Sequence, residues 1–459
     1  MARKLYTNKT FRDPVHGYIE IPSKWCDIFI DTFIFQRLRQ IEQTSMRVLY
    51  PGARHDRFIH SLGVYHLGKY ASDCLCRNSQ KIGIKASLME KCSTTFQIAC
   101  LLHDCGHSPF SHTLEKYYDS KNKELANDLA NELSSEFKQD FISVTCAPHE
   151  TVSAYLVATY YKDRILELGY TREDIEFIAR CIVGCPYTGI ASKEDQIRNI
   201  WISLLNGFSI DVDKLDYILR DTWASGVQNS SVDTKRLLSS LSILENGNNY
   251  KLAFRSNALS VLQNAVEARN FLYRWIYTHH KVLYEVYLLQ KAVEKAINDE
   301  CFNEDFFKLS SFKSPQGMLN DSDIISILKN NISRNTYAEE ILSRNHKLYP
   351  LWKNYVEFKS LIGQTEERIK RINIKAESVA SSIRESLNLD DSDFVILKSE
   401  TKLSCLTEDE ILIDLGNGST EKYPFTERKK AITFFFAYLS KDKRNLEKKV
   451  IEKINSYSI

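Results

Sequence analysis

The chain has 459 residues, with 61 Lys and Arg against 59 Asp and Glu and a formal net charge of +2. Its composition, 43% hydrophobic and 26% charged, is ordinary for a soluble globular protein and excludes a disordered or fibrous chain. The charge balance excludes a global field that would hold a nucleic-acid backbone, so we expect no nucleic-acid partner. A local basic pocket for a small polyanion stays open.

The N-terminus lacks the apolar core of a signal peptide, and no window reaches the roughly 18 apolar residues of a membrane span. We therefore predict a cytoplasmic protein without a membrane segment. Eleven cysteines occur without paired Cys-x-x-Cys blocks. This pattern indicates reduced, mostly buried cysteines with no role in metal binding.

The first hundred residues predict a strand or turn followed by apolar helices. Residues 11–22 predict the strand or turn, and residues 26–43 predict one helix because apolar residues recur at near-helical spacing. After a loop near Pro51, the chain is expected to enter a helix within residues 54–64 that runs to about residue 76. A further helix over residues 88–103 ends before Pro109, which cannot continue it.

The remaining chain is predicted to be helical until about residue 390. Residues 120–147 are charged and loosely amphipathic, which indicates a surface insertion. Helical patterns return at residues 148–161, 173–184, 197–205, 258–297 and 300–390. Runs typical of β-strands then occur at residues 394–397, 410–415 and 431–438, with a turn at residues 416–419.

These patterns predict a mainly α fold with a small α+β lobe at the C-terminal end. The expected divisions are a core over residues 1–300 that includes the insertion, a helical extension over residues 301–392 and the lobe over residues 393–459.

The most informative stretch is residues 101–112, which read Leu-Leu-His-Asp-Cys-Gly-His-Ser-Pro-Phe-Ser-His. Imidazole nitrogen and carboxylate oxygen together hold hard or borderline divalent cations. His103 and Asp104 with His60, on an earlier helix, and Asp213, far downstream, would form a site of four ligands drawn from three elements. Such a site leaves positions open for water and a substrate oxygen, which suits hydrolysis of a phosphate ester or anhydride.

A second unusual stretch, residues 211–221, places four aspartates, one lysine and one arginine among large apolar residues. Buried charges of this kind must be paired, bound to metal or turned toward a cavity. Alone, His60 reads as an ordinary core or surface histidine, and Asp213 as a cap or an ion-pair partner. Their occurrence together with the histidine-rich stretch favours the metal site.

Four motifs together resemble a known family. Residues 57–63, residues 103–112, His149-Glu150 and residues 206–221 are similar to the HD-domain deoxynucleoside triphosphate triphosphohydrolases, which include the dGTPases. The likeness is greatest to the branch that carries SAM and HD domains, and we expect no SAM domain before this core. It runs from about residue 13 to residue 280, with a weaker echo at residues 421–424. It implies that the helical core is an HD domain.

The resemblance implies that a dNTP and water give a deoxynucleoside and inorganic triphosphate. It implies these metal ligands: His60, His103, Asp104 and Asp213. The cation, whether Mg, Mn, Fe or Zn, stays open. His107 and Arg57 would bind the α-phosphate. His112 and His149 are both candidates for proton transfer to the leaving 5′-oxygen, and Glu115 would orient the donor.

The same resemblance implies the substrate contacts. Lys214, Arg269 and Arg57 would neutralise the triphosphate. The nucleoside would be bound by Tyr217 at the sugar, by Gln43 and Asp221 at the 3′-hydroxyl and by Tyr277 at the base. Taken alone, Lys214 and Tyr217 also fit a surface charge and a core aromatic. Thr44 stands where the family has an apolar residue that excludes a 2′-hydroxyl, which weakens the expected selection for deoxynucleotides.

Regulation is implied as well. Asp31, Gln36 and Arg39 match positions that read the base of an activating guanine nucleotide between subunits, and Arg236 and Arg255 match residues that bind its phosphates. Asn257 stands where a basic residue is expected, which leaves the activator's identity open. We therefore expect a homo-oligomer, with a tetramer favoured, activated at a site distinct from catalysis. A plain surface-helix role for Asp31, Gln36 and Arg39 is the alternative.

Two other functional classes stay open. One is an HD phosphohydrolase or nuclease that acts on nucleic-acid ends or cyclic nucleotides, and the other is an inert HD nucleotide sensor. The near-neutral charge weighs against the first, and the four intact ligand positions weigh against the second. The preferred dNTP, and the choice between housekeeping and antiviral defence, stay undetermined.

Overall fold

The computed structural model describes residues 7–80, 82–119, 122–189, 192–207, 210–227, 232–246, 249–301, 303, 318–400, 411–416, 420–422 and 433–457. The predicted mainly α fold is confirmed. The chain forms two compact units, each built from three segments of sequence. Unit 1 comprises Met1–Arg269, Asn303–Ile324 and Ser404–Glu427, and unit 2 comprises Asn270–Phe302, Ile325–Leu403 and Arg428–Ile459. The predicted divisions at residues 300 and 392 stay a prediction.

Unit 1 contains the helices that carry most of the predicted site residues. Five of them are labelled: α1 (Arg57–Asn78), α2 (Ala86–Leu102), α3 (Pro148–Ala158), α4 (Val212–Ser225) and α5 (Leu259–Leu272), whose last residues belong to unit 2. Its other described helices are Ser23–Trp25, Phe33–Arg37, Lys116–Asp119, Asn122–Glu132, Ser135–Phe141, Lys162–Glu167, Arg172–Val183, Lys193–Leu205 and Thr234–Ser239. Short 3-10 turns lie at Leu38–Gln40, Ser45–Val48, Ser111–Thr113 and Ser256–Ala258.

Aspartate caps fix the start of two site-bearing helices. The Asp56 carboxylate accepts the Ile59 N–H at the start of α1, and the Asp211 carboxylate accepts the Lys214 N–H at the start of α4. Each cap satisfies a backbone donor that has no partner within its helix. Helix α4 ends at Gly226, whose φ of 68° lies in the left-handed region that glycine adopts without strain.

The single helix predicted over residues 26–43 is wrong. The chain forms a π-helical turn at Cys26–Ile30, a short helix at Phe33–Arg37 and a 3-10 turn at Leu38–Gln40. Thr32 causes the restart, because its hydroxyl caps the new helix by accepting the Phe35 N–H. Phe29, Ile30, Phe35, Leu38 and Ile41 are buried, whereas Phe33 is exposed, so the periodicity predicted most of the buried positions but not the continuity of the helix.

The predicted helical block at residues 258–297 is interrupted in a similar way. Helix α5 passes into a π-helical turn at Tyr273–Tyr277, and a new helix begins at His280. In residues 120–147, helices Asn122–Glu132 and Ser135–Phe141 bury apolar side chains that include Leu129 and Phe137.

Unit 1 also has two small sheets. Strands Asn8–Asp13 and Gly17–Pro22 form an antiparallel hairpin. The second sheet has four strands in the order Leu241–Asn246, Asn249–Arg255, Leu412–Asp414 and Thr420–Lys422. The pairing of the middle two strands is parallel and the others are antiparallel. Part of the predicted turn, residues 417–419, lies outside the described residues.

Unit 2 contains two of the three strands predicted for the C-terminal lobe, whereas the third, Leu412–Asp414, pairs with Asn249–Arg255 in unit 1. Strand Thr433–Ser440 is central in a three-stranded antiparallel sheet, between Leu348–Pro350 and Phe394–Glu400. The sheet residues share an aromatic core in which the Trp352 indole donates to the Phe435 carbonyl at 2.6 Å. The described helices of this unit are His280–Asn298, Asp321–Asn330 from Ile325 onward, Thr336–Ser343, Tyr355–Leu361, Glu366–Ile374, Ala376–Leu387 and Glu447–Ser456, with 3-10 turns at Ile332–Arg334 and Lys441–Leu446.

Two further expectations concern membranes and cysteines. Within the described part of the chain, no helix has the length and apolar character needed to cross a membrane. The ten described cysteines are all free thiols, as predicted, and Cys405 lies outside the described residues. Burial raises the pKa of the Cys92 thiol to about 12, which keeps it protonated and unreactive.

Candidate metal centre and active site

Helices α1 and α4 approach each other closely beside the candidate metal ligands. A side chain at Gly63 of α1 would overlap the Asp216 carboxylate and the Arg220 guanidinium of α4, since its Cβ would lie 1.9 Å from Asp216 Oδ1. Glycine at this position therefore allows α4 to approach α1. Asp213 and Asp216 of α4 both contact His60 of α1 as a result.

The predicted metal ligands converge in this region. His60 Nε2 lies 2.9 Å from Asp213 Oδ1 and 3.6 Å from Asp104 Oδ2. His103 Nε2 lies 3.5 Å from Asp104 Oδ1 and 3.7 Å from Asp213 Oδ1. Ligand atoms of His60, His103 and Asp104 all lie within 4.8 Å of one another. The structure thus places all four predicted ligands in one group of side chains, which we call the metal cluster.

The two imidazoles present nitrogen atoms that suit a bound cation. His60 Nδ1 contacts Asp216 Oδ2 at 2.7 Å, and His103 Nδ1 contacts the Cys100 carbonyl at 2.9 Å. If each Nδ1 carries the proton, each Nε2 presents a lone pair to the cluster. Both Nε2 atoms are buried without an aligned hydrogen bond to a described residue. Two imidazoles and two carboxylates with these orphaned nitrogens fit a divalent metal.

The charge state of the carboxylates supports the same interpretation. Burial by itself raises the pKa of Asp104, but the Arg57 guanidinium and the His103 imidazole outweigh it and hold the pKa below its ordinary range. For Asp213, burial also acts upward, and contacts with His103 and His60 hold the pKa well below the ordinary value. Both groups are therefore anionic near neutral pH, as metal ligands must be.

Asp216 is the centre of a buried network behind the ligands. Its carboxylate accepts two hydrogen bonds from Arg220, at 2.8 and 3.0 Å, and contacts His16 Nε2 at 2.6 Å. Arg220 also donates to Asp13 at 2.8 Å. Sequence analysis gave none of these residues a role. Asp216 and Arg220 lie within the recognised motif, but nothing in the sequence connects His16 to a partner 200 positions away.

Arg57 connects three parts of the site. Its guanidinium donates to Asp104 Oδ2 at 2.7 Å, to Ser111 Oγ at 2.9 Å and to the Gln43 carbonyl at 3.1 Å. The side chain is almost fully buried. Arg57 is therefore a fixed positive charge beside the metal cluster.

His107, His112 and His149 form a second cluster that includes a carboxylate. His107 stacks on His149 with ring centroids 4.1 Å apart, and His112 lies against both rings. Glu115 contacts His149 Nδ1 at 2.5 Å and His112 Nδ1 at 2.7 Å. His149 Nε2 lies 3.9 Å from Asp104 Oδ1, so this cluster adjoins the metal cluster.

The environments of these histidines differ. Burial by itself lowers the pKa of His149, but the Glu115 carboxylate outweighs it and raises the pKa to about 9. Burial together with Arg57 lowers the pKa of His107 well below its ordinary value. The His112 side chain is 63% exposed, whereas that of His149 is 10% exposed. His149 is therefore the buried, protonated member of the cluster near neutral pH.

The predicted substrate residues are placed as follows. Arg269 of α5 donates to the Tyr217 hydroxyl at 3.1 Å. Lys214 donates to the Gly207 carbonyl at 2.7 Å and to the Asp211 carboxylate. Gln43 and Asp221 are buried in unit 1, and Asp221 contacts His55, which sequence analysis did not select. Tyr277 belongs to unit 2, where its ring lies against Tyr273.

The predicted activator residues lie near the surface of unit 1. Arg39 donates to Gln36 at 2.9 Å and lies over the Phe58 ring, and Asp31 pairs with Lys9 at 2.8 Å. Arg236 donates to the carbonyl of Asn257 at 2.8 Å, and Arg255 lies at the end of strand Asn249–Arg255. Their role as an activator site stays a prediction.

Asp321 braces the backbone around the site from a distant part of the sequence. Its carboxylate accepts the Glu42 N–H at 2.9 Å and the Phe110 N–H at 2.6 Å. Phe110 and Ser111 have φ values of 54° and 52°, a left-handed conformation that is strained for these residues. Asp321 thus stabilises a strained turn between His107 and His112.

This environment predicts a pH-dependent contribution to stability. Burial outweighs the two N–H donors and raises the pKa of Asp321 from 3.8 to about 6. Between these values the folded chain holds a proton that the unfolded chain releases, so the free energy of unfolding falls as pH rises from about 4 to 6 and is constant above. Relative to Asp321→Asn, the wild type should lose on the order of 2 kcal/mol of stability over this range.

Urea unfolding at pH 4.5, 5.5 and 7 would measure this difference, and Asp73→Asn, at an exposed position of α1, is the control. A constant difference between the wild type and Asp321→Asn across these pH values would contradict the expectation.

Comparisons with known proteins show what the chain is similar to. Residues 57–181 match the HD domain model. The chain is 34% identical over 308 residues to deoxynucleoside triphosphate triphosphohydrolase SAMHD1 of Gallus gallus, a match that covers 64% of this chain and 46% of the relative. The chain is 32% identical over 284 residues to the Homo sapiens protein of the same name, a match that covers 60% of this chain and 42% of that relative. The chain thus spans about half the length of these relatives.

Other relatives extend the comparison. An uncharacterized protein of Mycoplasma genitalium is 28% identical over 304 residues, covering 65% of this chain and 63% of the relative. The crystal structure of a hypothetical protein from Aquifex aeolicus has a TM-score of 0.66 at 24% identity and covers 97% of this chain and 100% of that one, which supports the fold alone. The predicted resemblance is confirmed: residues 57–181 match the HD domain, and the chain is similar to proteins named deoxynucleoside triphosphate triphosphohydrolase.

Proposed function

We propose that this chain is a metal-dependent dNTP triphosphohydrolase that releases a deoxynucleoside and inorganic triphosphate. One observation carries the proposal: the His60, His103, Asp104 and Asp213 cluster adjoins both a buried arginine and a buried histidine paired with a carboxylate. These are the groups needed to bind a phosphate, activate water and protonate a leaving oxygen. The named relatives support the dNTP as substrate.

The four ligands would hold a divalent cation. When bound, such an ion polarises a phosphoryl oxygen and lowers the pKa of water. In the proposed reaction, a water oxygen loses a proton as it bonds to the α-phosphorus, the bond from this phosphorus to the 5′-oxygen breaks, and the nucleoside leaves after its 5′-oxygen gains a proton. Arg57, held between Asp104 and Ser111, stabilises negative charge that develops on the α-phosphate.

The leaving 5′-oxygen requires a proton. His149 is the better placed donor, because it is buried, adjoins the metal cluster and is kept protonated by Glu115. His112 contacts the other Glu115 oxygen from a more exposed position, where it supports the orientation of that carboxylate. His107, a neutral imidazole beside His149, offers a hydrogen bond to the phosphate.

The triphosphate is expected to extend toward Lys214 and Arg269. Lys214 has three N–H donors, of which two point to Asp211 and Gly207. The hydrogen bond from Arg269 to the Tyr217 hydroxyl holds the positively charged guanidinium beside the aromatic ring that is proposed to contact the sugar.

Product analysis tests this proposal. The protein is incubated with each dNTP and Mg²⁺ or Mn²⁺, and the products are resolved by ion-exchange chromatography. We expect deoxynucleoside and inorganic triphosphate in equal amounts. Recovery of nucleoside monophosphate and pyrophosphate would refute the proposed bond cleavage. Single-stranded DNA, RNA and cyclic nucleotides in parallel reactions test the alternative HD phosphohydrolase or nuclease, and inactivity toward every substrate favours an inert sensor.

The proposal includes activation by a nucleotide in a homo-oligomer, with a tetramer favoured. It is supported by two hydrogen bonds at the positions that the sequence resemblance selected. Arg39 donates to Gln36, and Gln36 donates to the carbonyl of Ile30, the residue before Asp31. The same assay tests it, since a second nucleotide should raise the rate of hydrolysis in the wild type and not in Arg39→Ala. Hyperbolic kinetics that no added nucleotide changes would remove activation from the proposal.

A further inference from the structure

The turn of the N-terminal hairpin contacts α4 on the side of the metal cluster that faces away from the ligand atoms. Within this turn the Asp13 carboxylate accepts the Val15 N–H at 2.9 Å and the His16 N–H at 2.7 Å. An aspartate that accepts backbone N–H groups two and three residues ahead holds a tight turn in one conformation. The backbone of His16 is therefore fixed relative to Asp13.

Two side-chain contacts anchor this turn to α4. Arg220 donates to Asp13 at 2.8 Å, and His16 Nε2 lies 2.6 Å from Asp216 Oδ1. Asp216 and Arg220 are four residues apart on the helix and pair with each other. The four side chains are at most 5% exposed, so both contacts are shielded from water. The turn thus presents His16 to Asp216 in a defined geometry.

The Asp216 carboxylate shares its two oxygen atoms between Arg220 and two histidines. Oδ1 accepts from Arg220 at 3.0 Å and contacts His16, and Oδ2 accepts from Arg220 at 2.8 Å and contacts His60 Nδ1 at 2.7 Å. A carboxylate paired with a guanidinium is ionised and only accepts hydrogen bonds, so both histidines are donors. Without His16, Oδ1 would keep Arg220 alone as its partner, and the carboxylate would be less firmly held against His60.

The hydrogen bond at His60 Nδ1 determines what His60 offers to a cation. With the proton on Nδ1, Nε2 carries a lone pair, and this atom lies 2.9 Å from Asp213 Oδ1 in the metal cluster. A carboxylate behind a ligating histidine fixes the tautomer and the orientation of the ring, and its loss weakens metal binding by about 10- to 100-fold. His16 acts one contact further away, so we expect an effect at the lower end of this range.

We propose that His16 is a positioning residue that acts through Asp216 and holds His60 in the tautomer and orientation in which Nε2 binds the divalent cation. This inference rests on the proposed function, because it takes the metal cluster to be the binding site of a cation. It makes the N-terminal hairpin a determinant of metal affinity.

Mn²⁺ binding to two variants of similar shape tests this role. His16→Gln keeps an N–H donor near the position of Nε2, whereas His16→Met has nearly the same shape and no N–H donor. Equilibrium dialysis gives the dissociation constant of the Mn²⁺ site that Asp104→Asn loses. We expect this constant to be about tenfold higher than in the wild type in His16→Met and within about threefold of it in His16→Gln.

His66→Phe is the matched control. The His66 ring lies against the His16 ring, with centroids 5.1 Å apart, and phenylalanine keeps an aromatic ring at this position. This variant should bind Mn²⁺ as tightly as the wild type. Circular dichroism melting identifies any unfolded variant, and His16→Phe, which also lacks an N–H donor at this position, replaces His16→Met if that variant does not fold.

A merely structural role would lower the melting temperature and leave the dissociation constant of the folded protein unchanged, and that result overturns the proposal. Equal weakening in His16→Met and His16→Gln would also overturn it. Hydrolysis of dNTPs is measured separately. Weaker Mn²⁺ binding in His16→Met, in a protein that releases triphosphate from no dNTP, would support the positioning role and refute the proposed activity. A wild type that binds none of Mn²⁺, Mg²⁺ and Zn²⁺ would overturn both.

Discussion

Asp104→Asn is expected to lower dNTP hydrolysis by on the order of a thousandfold. Asp104 is a predicted metal ligand, and its second oxygen pairs with Arg57 at 2.7 Å. The amide cannot supply the negative charge that the cation and the guanidinium both need. Loss of one carboxylate therefore weakens metal binding and leaves Arg57 partly unpaired in a buried environment.

Metal content and activity should be measured together on this variant. Elemental analysis after dialysis against Mn²⁺ should show less bound metal than in the wild type, and the product assay should show the loss of rate. Asp73→Asn introduces the same chemical change at an exposed position of α1 and should change neither quantity. Full activity of Asp104→Asn would refute a role for this carboxylate in the reaction.

His149→Ala should lower kcat by about 10²- to 10⁴-fold, the range for removal of a general acid. His112→Ala should cost less than tenfold, because His112 is exposed and only supports Glu115. The physical difference between the two residues lies in their surroundings. His149 is enclosed and paired with Glu115 and adjoins Asp104, so a proton on it is both retained and close to the reacting phosphate.

Steady-state kinetics on both variants would measure these effects, with melting temperatures as the control for folding. The loss of kcat in Glu115→Gln should lie between the losses in His112→Ala and His149→Ala. The glutamine keeps a hydrogen-bonding partner for His149 but removes the charge that raises the pKa of His149. A larger loss in His112→Ala than in His149→Ala would reverse the assignment of the proton donor.

The residues of the metal cluster could be predicted from the sequence because the strongest signal for them is local. His103 and Asp104 are adjacent and follow directly on a helix, so their side chains must lie close together wherever that helix packs. Helical periodicity likewise predicted α1 and α2, since burial of one face leaves a repeat in the chain, and runs typical of β-strands predicted Phe394–Glu400 and Thr433–Ser440. The strand Leu348–Pro350 was not predicted. Asp213 was a weaker prediction, because its distance from His103 carries no pattern and only the charged stretch at residues 211–221 and the resemblance pointed to it.

Tertiary structure decided which residues surround these ligands. His16 with Asp216, His55 with Asp221, and Asp321 with Glu42 and Phe110 are each separated by 166 to 279 positions. His112 and His149 could not be ranked from the sequence, and they differ in the structure by burial and by the proximity of His149 to Asp104. Whether residues 26–43 form one helix depended on a competing cap at Thr32. Local propensity and periodicity act over a few residues, whereas a hydrogen bond between distant side chains exists only after the chain has packed, so its partners leave no signal in a single sequence.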